Sequence, residues 1–354
     1  MVYLTLLLCF IASLIITPLV RKLAFKIGAT DKPNHRKVHQ KIMPRLGGLA
    51  IFISFLIGMA ILRPQDDQIG TMAVLLGACI IVVLGILDDM YELSAKVKFI
   101  GQIIAALVVV LGGVQVDYIN LPFGGGIELG ILSIPLTILW IVGITNAINL
   151  IDGLDGLAAG VSGIALITIS AMAMLKGDLF VLSISAILIG SILGFLKYNF
   201  HPAKIFMGDT GALFLGFMIA VLSLSGFKNV TVLSLIIPII ILGVPISDTF
   251  FAIIRRIVNK QPLSAPDKSH LHHCMLRLGY SHRQTVLIIY AMAASFGLVA
   301  FIFSMSTVWG AMLIIGVILL SIEIFAEKVG LGGNSYRPLL RMISPKDVSN
   351  SSDK

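Results

Sequence analysis

Five clusters of polar residues interrupt an otherwise strongly apolar chain, and each contains side chains suited to phosphate or metal chemistry. The first to stand out is Asp88-Asp89, placed where an apolar run from Thr71 to Leu87 stops. One carboxylate of such a pair can hold Mg2+ while the other positions or deprotonates a nucleophile. Adjacent side chains diverge by about 100° on a helix, so both address one site only if the helix ends there. Lys96 and Lys98 follow in Leu93-Ser-Ala-Lys-Val-Lys98. Upstream, Asp31-Lys-Pro-Asn-His-Arg-Lys-Val-His39 leads into Pro44-Arg45-Leu-Gly-Gly48. Basic groups ahead of a helix start favour phosphate anions, through the planar guanidinium fork and the unpaired amides of the first turn.

The stretch Asn146-Ala-Ile-Asn149-Leu-Ile-Asp152-Gly-Leu-Asp155-Gly-Leu-Ala158 sets polar residues three apart within an apolar segment. Nine residues at about 100° each would carry Asn146 and Asp155 to opposite sides of one helix, so Gly153 and Gly156 are expected to break it. Such groups are costly in a membrane unless they bind something. Next come Asn199, His201 and Lys204, then Ile205-Phe206-Met-Gly-Asp209-Thr-Gly211. Asp209 has the placement of a helix N-cap. Phe206 offers either membrane packing or a face on which a base stacks. Last is His270-Leu-His272-His273, flanked by Lys268, Arg277, His282 and Arg283. Without Asp or Cys partners at a usual spacing, zinc is disfavoured, and recognition of a diphosphate by imidazole fits better. Asp248 stands seven residues before Arg255, as the partner of a cytoplasmic Arg or Lys or as part of the site's wall.

The elements that must hold these clusters are membrane helices. Apolar residues make up 57% of the chain and charged residues 12%, with a mean hydropathy of +1.01. A soluble domain would carry about 25% charged residues. Runs able to cross about 30 Å of hydrocarbon fall at 3–20, 46–62, 71–87, 99–114, 130–150, 155–175, 179–196, 211–227, 231–254, 285–304 and 308–325. The expectation is an all-α polytopic membrane protein of about eleven transmembrane helices: a membrane domain over 1–327 and a tail over 328–354. All of the 26 Lys and Arg residues except Arg63, Lys176 and Lys228 fall on one side of this topology. By the positive-inside rule that side is cytoplasmic, with the N-terminus outside and the C-terminus inside. No basic residue precedes Arg21, so the first helix is expected to stay as an anchor. The Gly-rich stretch Val114 to Gly130 is expected to form a turn-rich loop or small hairpin. Cys9, Cys79 and Cys274 suggest neither a disulfide framework nor a CxxC site.

In this order and on one side of a membrane, the clusters resemble the polyprenyl-phosphate N-acetylhexosamine-1-phosphate transferase family, from about residue 20 to 285. The resemblance rests on Pro44-Arg-Leu-Gly-Gly48, Asp88-Asp89, Asn146 to Gly156, Phe206-Met-Gly-Asp-Thr-Gly211 and His270-Leu-His-His273. It is greatest to the bacterial undecaprenyl-phosphate N-acetylglucosamine-1-phosphate transferases. The relatives that transfer phospho-MurNAc-pentapeptide carry three consecutive His in the last motif. The resemblance implies attack of undecaprenyl phosphate on the β-phosphorus of UDP-N-acetylglucosamine, giving a lipid diphosphate sugar and UMP, as the first membrane step of teichoic acid or other cell-wall glycan synthesis. It implies Mg2+, with Mn2+ as a substitute, on Asp209, and catalysis by Asp88 and Asp89. Asn149, Asp152, Asp155 and Asn199 then line the nucleotide and metal site, Phe206 stacks on uracil, and His270, His272 and His273 meet the sugar phosphate. Arg45 and Lys98 are candidate cations for substrate phosphate. The expected setting is the bacterial plasma membrane with the site facing the cytoplasm, with no nucleic acid partner and a homodimer as an open expectation. An ion-coupled transporter is the rival class, because intramembrane acids also mark ion pathways, but its site should lie near the bilayer midplane.

Overall fold

The computed structural model describes residues 1–31, 42–64, 68–120, 126–226, 232–262, 267, 269–331 and 338–339. The basic stretch Lys32 to Lys41, residues 121–125, Lys268 and most of the tail lie outside them. The chain is an all-α polytopic membrane protein, and eight described helices are long and apolar enough to cross a bilayer. The principal elements are α1 (Val2–Ile27), α2 (Gly47–Leu62), α3 (Gln68–Tyr91), α4 (Ala95–Leu111), α5 (Ser133–Ile151), α6 (Leu157–Lys176), α7 (Leu179–Asn199) and α8 (Gly208–Ser225). They are followed by α9 (Val232–Ile241), α10 (Gly243–Val258), α11 (Leu271–Arg277), α12 (His282–Ser304) and α13 (Val308–Val329).

The run read as one span over 231–254 is two helices, α9 and α10, which meet at Leu242. Hydropathy alone joins them; proline chemistry explains the break. Pro245 sits in the first turn of α10, where an amide has no intrahelical partner to lose, so a new helix start tolerates it better than a helix interior does. The Gly-rich stretch holds a small antiparallel hairpin, β3 (Tyr118–Asn120) with β4 (Gly126–Glu128). A second pair, β1 (Thr30–Asp31) with β2 (Met43–Pro44), lies before α2.

At the centre of the bundle is α8. It is apolar on every side and buried from Thr210 to Leu224, the pattern of a helix enclosed by others. It packs against α2, α3, α5 and α6. Lipid tails are as apolar as the helices, so association depends on close approach, and small residues supply it. A Cβ on Gly48 of α2 would overlap the backbone of Gly211, and one on Gly85 of α3 would overlap Thr210. One on Gly216 would press on Thr145 of α5. In each case the obstacle is backbone or a Cα, which cannot rotate aside.

Gly48→Ala is expected to destabilise the detergent-solubilised protein by about 3 kcal/mol, the upper range for overpacking a fitted interior. Gly143→Ala, which faces open space, is expected to stay within about 1 kcal/mol of the parent, the scale of helix propensity. Thermal melts of the two variants side by side make the comparison.

Candidate active site

The site begins with the N-terminus of α8, whose first amides have no intrahelical partner. Met207 at the cap position makes no side-chain cap bond. The missing acceptor comes from α3: Asp209 N donates to Asp89 Oδ1 (2.9 Å), and Thr210 N and Oγ1 donate to Asp89 Oδ2 (3.0 and 2.6 Å). Asp209 is therefore not the N-cap suggested by its placement; it lies inside the first turn, capped by another helix. The Asp89 side chain is 0% exposed and its charge is met by Arg45 Nε at 3.2 Å. The same guanidinium lies 3.8 Å from both Asp209 and Asp31. Burial works against the Arg45 charge, but Asp89, Asp209 and Asp31 outweigh it and hold its pKa above the ordinary value.

Backbone bonds fasten two of the sequence motifs together. Phe206 N donates to Pro44 O (2.8 Å), Gly47 N to Phe206 O (3.0 Å) and Gly48 N to Met207 O (2.8 Å). Gly208 completes the turn at φ +71°, and a Cβ there would strike the Arg45 carbonyl and the Asp89 carboxylate.

Asp88 does a different job from its neighbour. Its Oδ1 accepts from Leu93 N (2.8 Å), and its Oδ2 accepts from Lys98 Nζ (3.2 Å). Lys98 also donates to Asp209 Oδ2 at 2.9 Å, so one ammonium bridges two carboxylates. It stands in the first turn of α4, which Ser94 caps. Because α3 continues to Tyr91, the two aspartates diverge as helical neighbours must, and both still reach α8: Asp89 its backbone, Asp88 the Asp209 side chain through Lys98.

Beside this cluster opens a cavity of about 430 Å³. Of the residues expected from sequence, Arg45, Asp152, Asp155, Asn199, Phe206, Asp209 and His273 line it. Asp88, Asp89, Lys98, Asn149, His270 and His272 are not among its lining residues. The Asn146 to Gly156 segment breaks as its glycines predict: α5 ends at Ile151 and α6 starts after Gly156, at φ +76°. Asn146 stays behind on α5, where it exchanges hydrogen bonds with Gln102 of α4. Burial, and beyond it the charges of Asp209 and Asp89, push the Asp152 carboxyl up to about 8 despite Arg45. A neutral carboxyl there can donate a hydrogen bond. Asn199 Nδ2 donates to Ile205 O (3.0 Å) and pins the loop that carries Phe206.

Two further cavity residues, His201 and His282, stand in the polar clusters without being selected as site residues. His201 Nδ1 lies 2.7 Å from Asp155 Oδ2, and His282 Nε2 lies 4.0 Å from it. The ligand atoms of the three residues fall within 4.8 Å of one another. The rings are stacked, with centroids 4.1 Å apart and planes at 23°. Their lone pairs thus lie in separate, nearly parallel planes, a poor arrangement for meeting on one ion, and the short Asp155–His201 separation is that of a hydrogen bond. Proximity of His201 to Asn199 was the only sequence signal; stacking on His282 is a product of the tertiary fold.

The His motif forms the start of α11. His270 Nδ1 lies 3.0 Å from Asp248 Oδ2, and Leu271 N donates to Asp248 Oδ1 at 2.8 Å. Asp248 thus has a structural partner, but it is the His motif and not an Arg or Lys. His272 is buried, with neither ring nitrogen hydrogen-bonded among the described residues. Burial, then the neighbouring His273, lowers its pKa to about 3, so the ring is neutral near pH 7. It rests on Gly153, where any Cβ would strike it. His273 reaches the cavity, its pKa also lowered by burial and by His270 and Arg277.

Residues 71–227 match the family model described as glycosyl transferase family 4. The chain is 53% identical over 330 residues to a probable undecaprenyl-phosphate N-acetylglucosaminyl 1-phosphate transferase of Bacillus subtilis, covering 93% of this chain and 92% of that one. It is 30% identical over 295 residues to the undecaprenyl-phosphate alpha-N-acetylglucosaminyl 1-phosphate transferase of Salmonella typhi, covering 80% and 79%. It is 34% identical over 319 residues to the phospho-N-acetylmuramoyl-pentapeptide-transferase of Halalkalibacterium halodurans, covering 84% and 95%. The matched segment contains the acidic pair, the glycine-broken helix and the α8 N-terminus that together build the site. The chain belongs to glycosyl transferase family 4, as an integral membrane transferase.

Proposed function

We propose that the protein transfers N-acetylglucosamine 1-phosphate from UDP-N-acetylglucosamine to undecaprenyl phosphate, as the first membrane step of teichoic acid or another cell-wall glycan. An oxygen of the lipid phosphate attacks the β-phosphorus of the donor, the bond from that phosphorus to the bridging oxygen breaks, and UMP leaves with the electron pair. The observation that carries this reading is the Asp88–Lys98–Asp209 cluster at the edge of a polar cavity at one end of a membrane bundle. There a phosphate at headgroup depth meets the site while its hydrocarbon tail stays among the helices. The extensive identity to the Bacillus subtilis relative supports the same donor and acceptor.

Both substrates are anions, so the attack must overcome like-charge repulsion. Mg2+ fits the residues present: Asp88 and Asp209 are hard oxygen donors that already converge on one cation, the Lys98 ammonium. In this reading Asp88 and Asp209 hold Mg2+, and the ion supplies charge neutralisation on the diphosphate. Arg45 and Lys98 attract the substrate phosphates, Phe206 stacks on the base, and His273 meets the sugar phosphate. Asp88 also accepts a proton if the lipid phosphate is monoprotonated, whereas Asp89 positions the site through α8. The excess of basic residues at this end supports a cytoplasmic-facing site.

The deciding assay is UMP release by purified protein with undecaprenyl phosphate and Mg2+, offered UDP-N-acetylglucosamine or the UDP-MurNAc-pentapeptide. Lipid-dependent UMP from the first donor alone is expected; release only from the second would reassign the donor, and release from neither would remove the transferase reading. Chelation of divalent ions should stop turnover, and added Mg2+ should restore it. Asp88→Asn and Asp209→Asn are each expected to lower kcat by about 10³-fold, as loss of a main electrostatic group does, in protein that still folds. Asp89→Asn is expected instead to cut the yield of folded protein, since breaking a buried ion pair costs about 3–5 kcal/mol.

A further inference from the structure

Asp248 is a carboxylate 2% exposed on α10, in the interior of the bundle. It borders an apolar cavity of about 670 Å³ between α10, α12 and α13, on the far side of α11 from the polar site. A charge in such surroundings is costly unless its oxygens are hydrogen-bonded, and both of them are given to α11. Oδ1 accepts from Leu271 N, the first amide of that helix, and Oδ2 faces His270 Nδ1. Two bonds to successive residues fix the orientation of the helix start as well as its position. They also fix the His270 tautomer, with the proton on Nδ1.

This anchoring matters because α11 has only seven residues, too few to be stable alone. It forms a partition between two cavities: Leu271 lines the apolar one and His273 lines the polar one. Between them His272 rests on Gly153, which follows Asp152 and also lines the polar cavity. A shift of α11 would therefore move His273 against the bound donor.

We propose that Asp248 is a positioning residue for the transfer reaction, which holds α11 so that His273 meets the sugar diphosphate of the donor. The proposal rests on the transferase reading. Asp248 touches no substrate; it acts through the cap on α11.

The test compares Asp248→Ala, which removes both bonds, with Asp248→Asn, which keeps an acceptor for Leu271 N but turns an NH2 group toward His270 Nδ1. Asp248→Ala is expected to raise the KM for UDP-N-acetylglucosamine by about tenfold or more while leaving the KM for undecaprenyl phosphate within about twofold, since misplacing a contact group costs on that scale. Asp248→Asn should fall between the two. In a His273→Ala background, Asp248→Ala should cost almost nothing further, because two residues acting through one contact are not additive. A second readout needs no turnover: Cys274, buried on α11, should be alkylated by N-ethylmaleimide about tenfold faster in Asp248→Asn, as local opening exposes it. That experiment stands even if wild-type protein releases no UMP, so failure of the transferase reading and failure of this one are distinct. An unchanged donor KM, fully additive losses in the double variant, or wild-type labelling of Cys274 would each overturn the proposal.

Discussion

The carboxylate of Asp89 holds this structure's chemistry in place. It occupies the N-terminus of the most enclosed helix, accepts two amides and a hydroxyl, and faces a guanidinium, so every strong acceptor direction is used. A helix N-terminus carries partial positive charge that favours an anion. Removing one partner of such a buried pair costs several times more than losing a surface pair, about 3–5 against 0–1 kcal/mol. By that measure the Arg45–Asp89 contact dominates the Arg45–Glu92 contact, which is 3.9 Å long with a glutamate side chain 83% exposed. Arg45 is thereby committed to α8, and the strand segment before α2 comes with it.

From this anchor the rest of the site is placed by close packing. Gly48, Gly85 and Gly216 let three helices reach the α8 backbone, and three backbone bonds join the Pro44 to Gly48 segment to the Phe206 to Gly208 turn. Asp209 is therefore held from both sides, by the cap below its amide and by Lys98 and Arg45 around its carboxylate. A site assembled from helix ends gains its precision from such rigid neighbours and not from its loops.

The electrostatic balance of the cluster is acidic. Asp31, Asp88, Asp89, Asp152 and Asp209 surround Arg45 and Lys98, and the Asp152 pKa, raised first by burial, is raised further by Asp209 and Asp89. Adding two phosphate-bearing substrates to that balance would be unfavourable without further positive charge. A divalent cation held by hard oxygens is the simplest remedy, which is why the proposed chemistry includes Mg2+ beside the protein's own cations.

Much of this was legible in the residues because hydropathy and glycine act locally. Apolar runs with few charges allow little but membrane helices, and the break at Gly153 and Gly156 follows from a helical period that cannot bring Asn146 and Asp155 together. The α9–α10 break escaped because hydropathy does not register Pro245 in the first turn of a new helix. Three-dimensional packing alone decided the division between adjacent aspartates, Asp89 to cap α8 and Asp88 to face Lys98. It also decided that Asn146 would clasp Gln102, that His201 and His282 would stack beside Asp155, and that Asp248 would seize the His motif. The physical reason is the same throughout: a residue's depth in the membrane is a sum over its near neighbours in the chain, whereas its partner is whichever distant group the helix packing brings within hydrogen-bond reach.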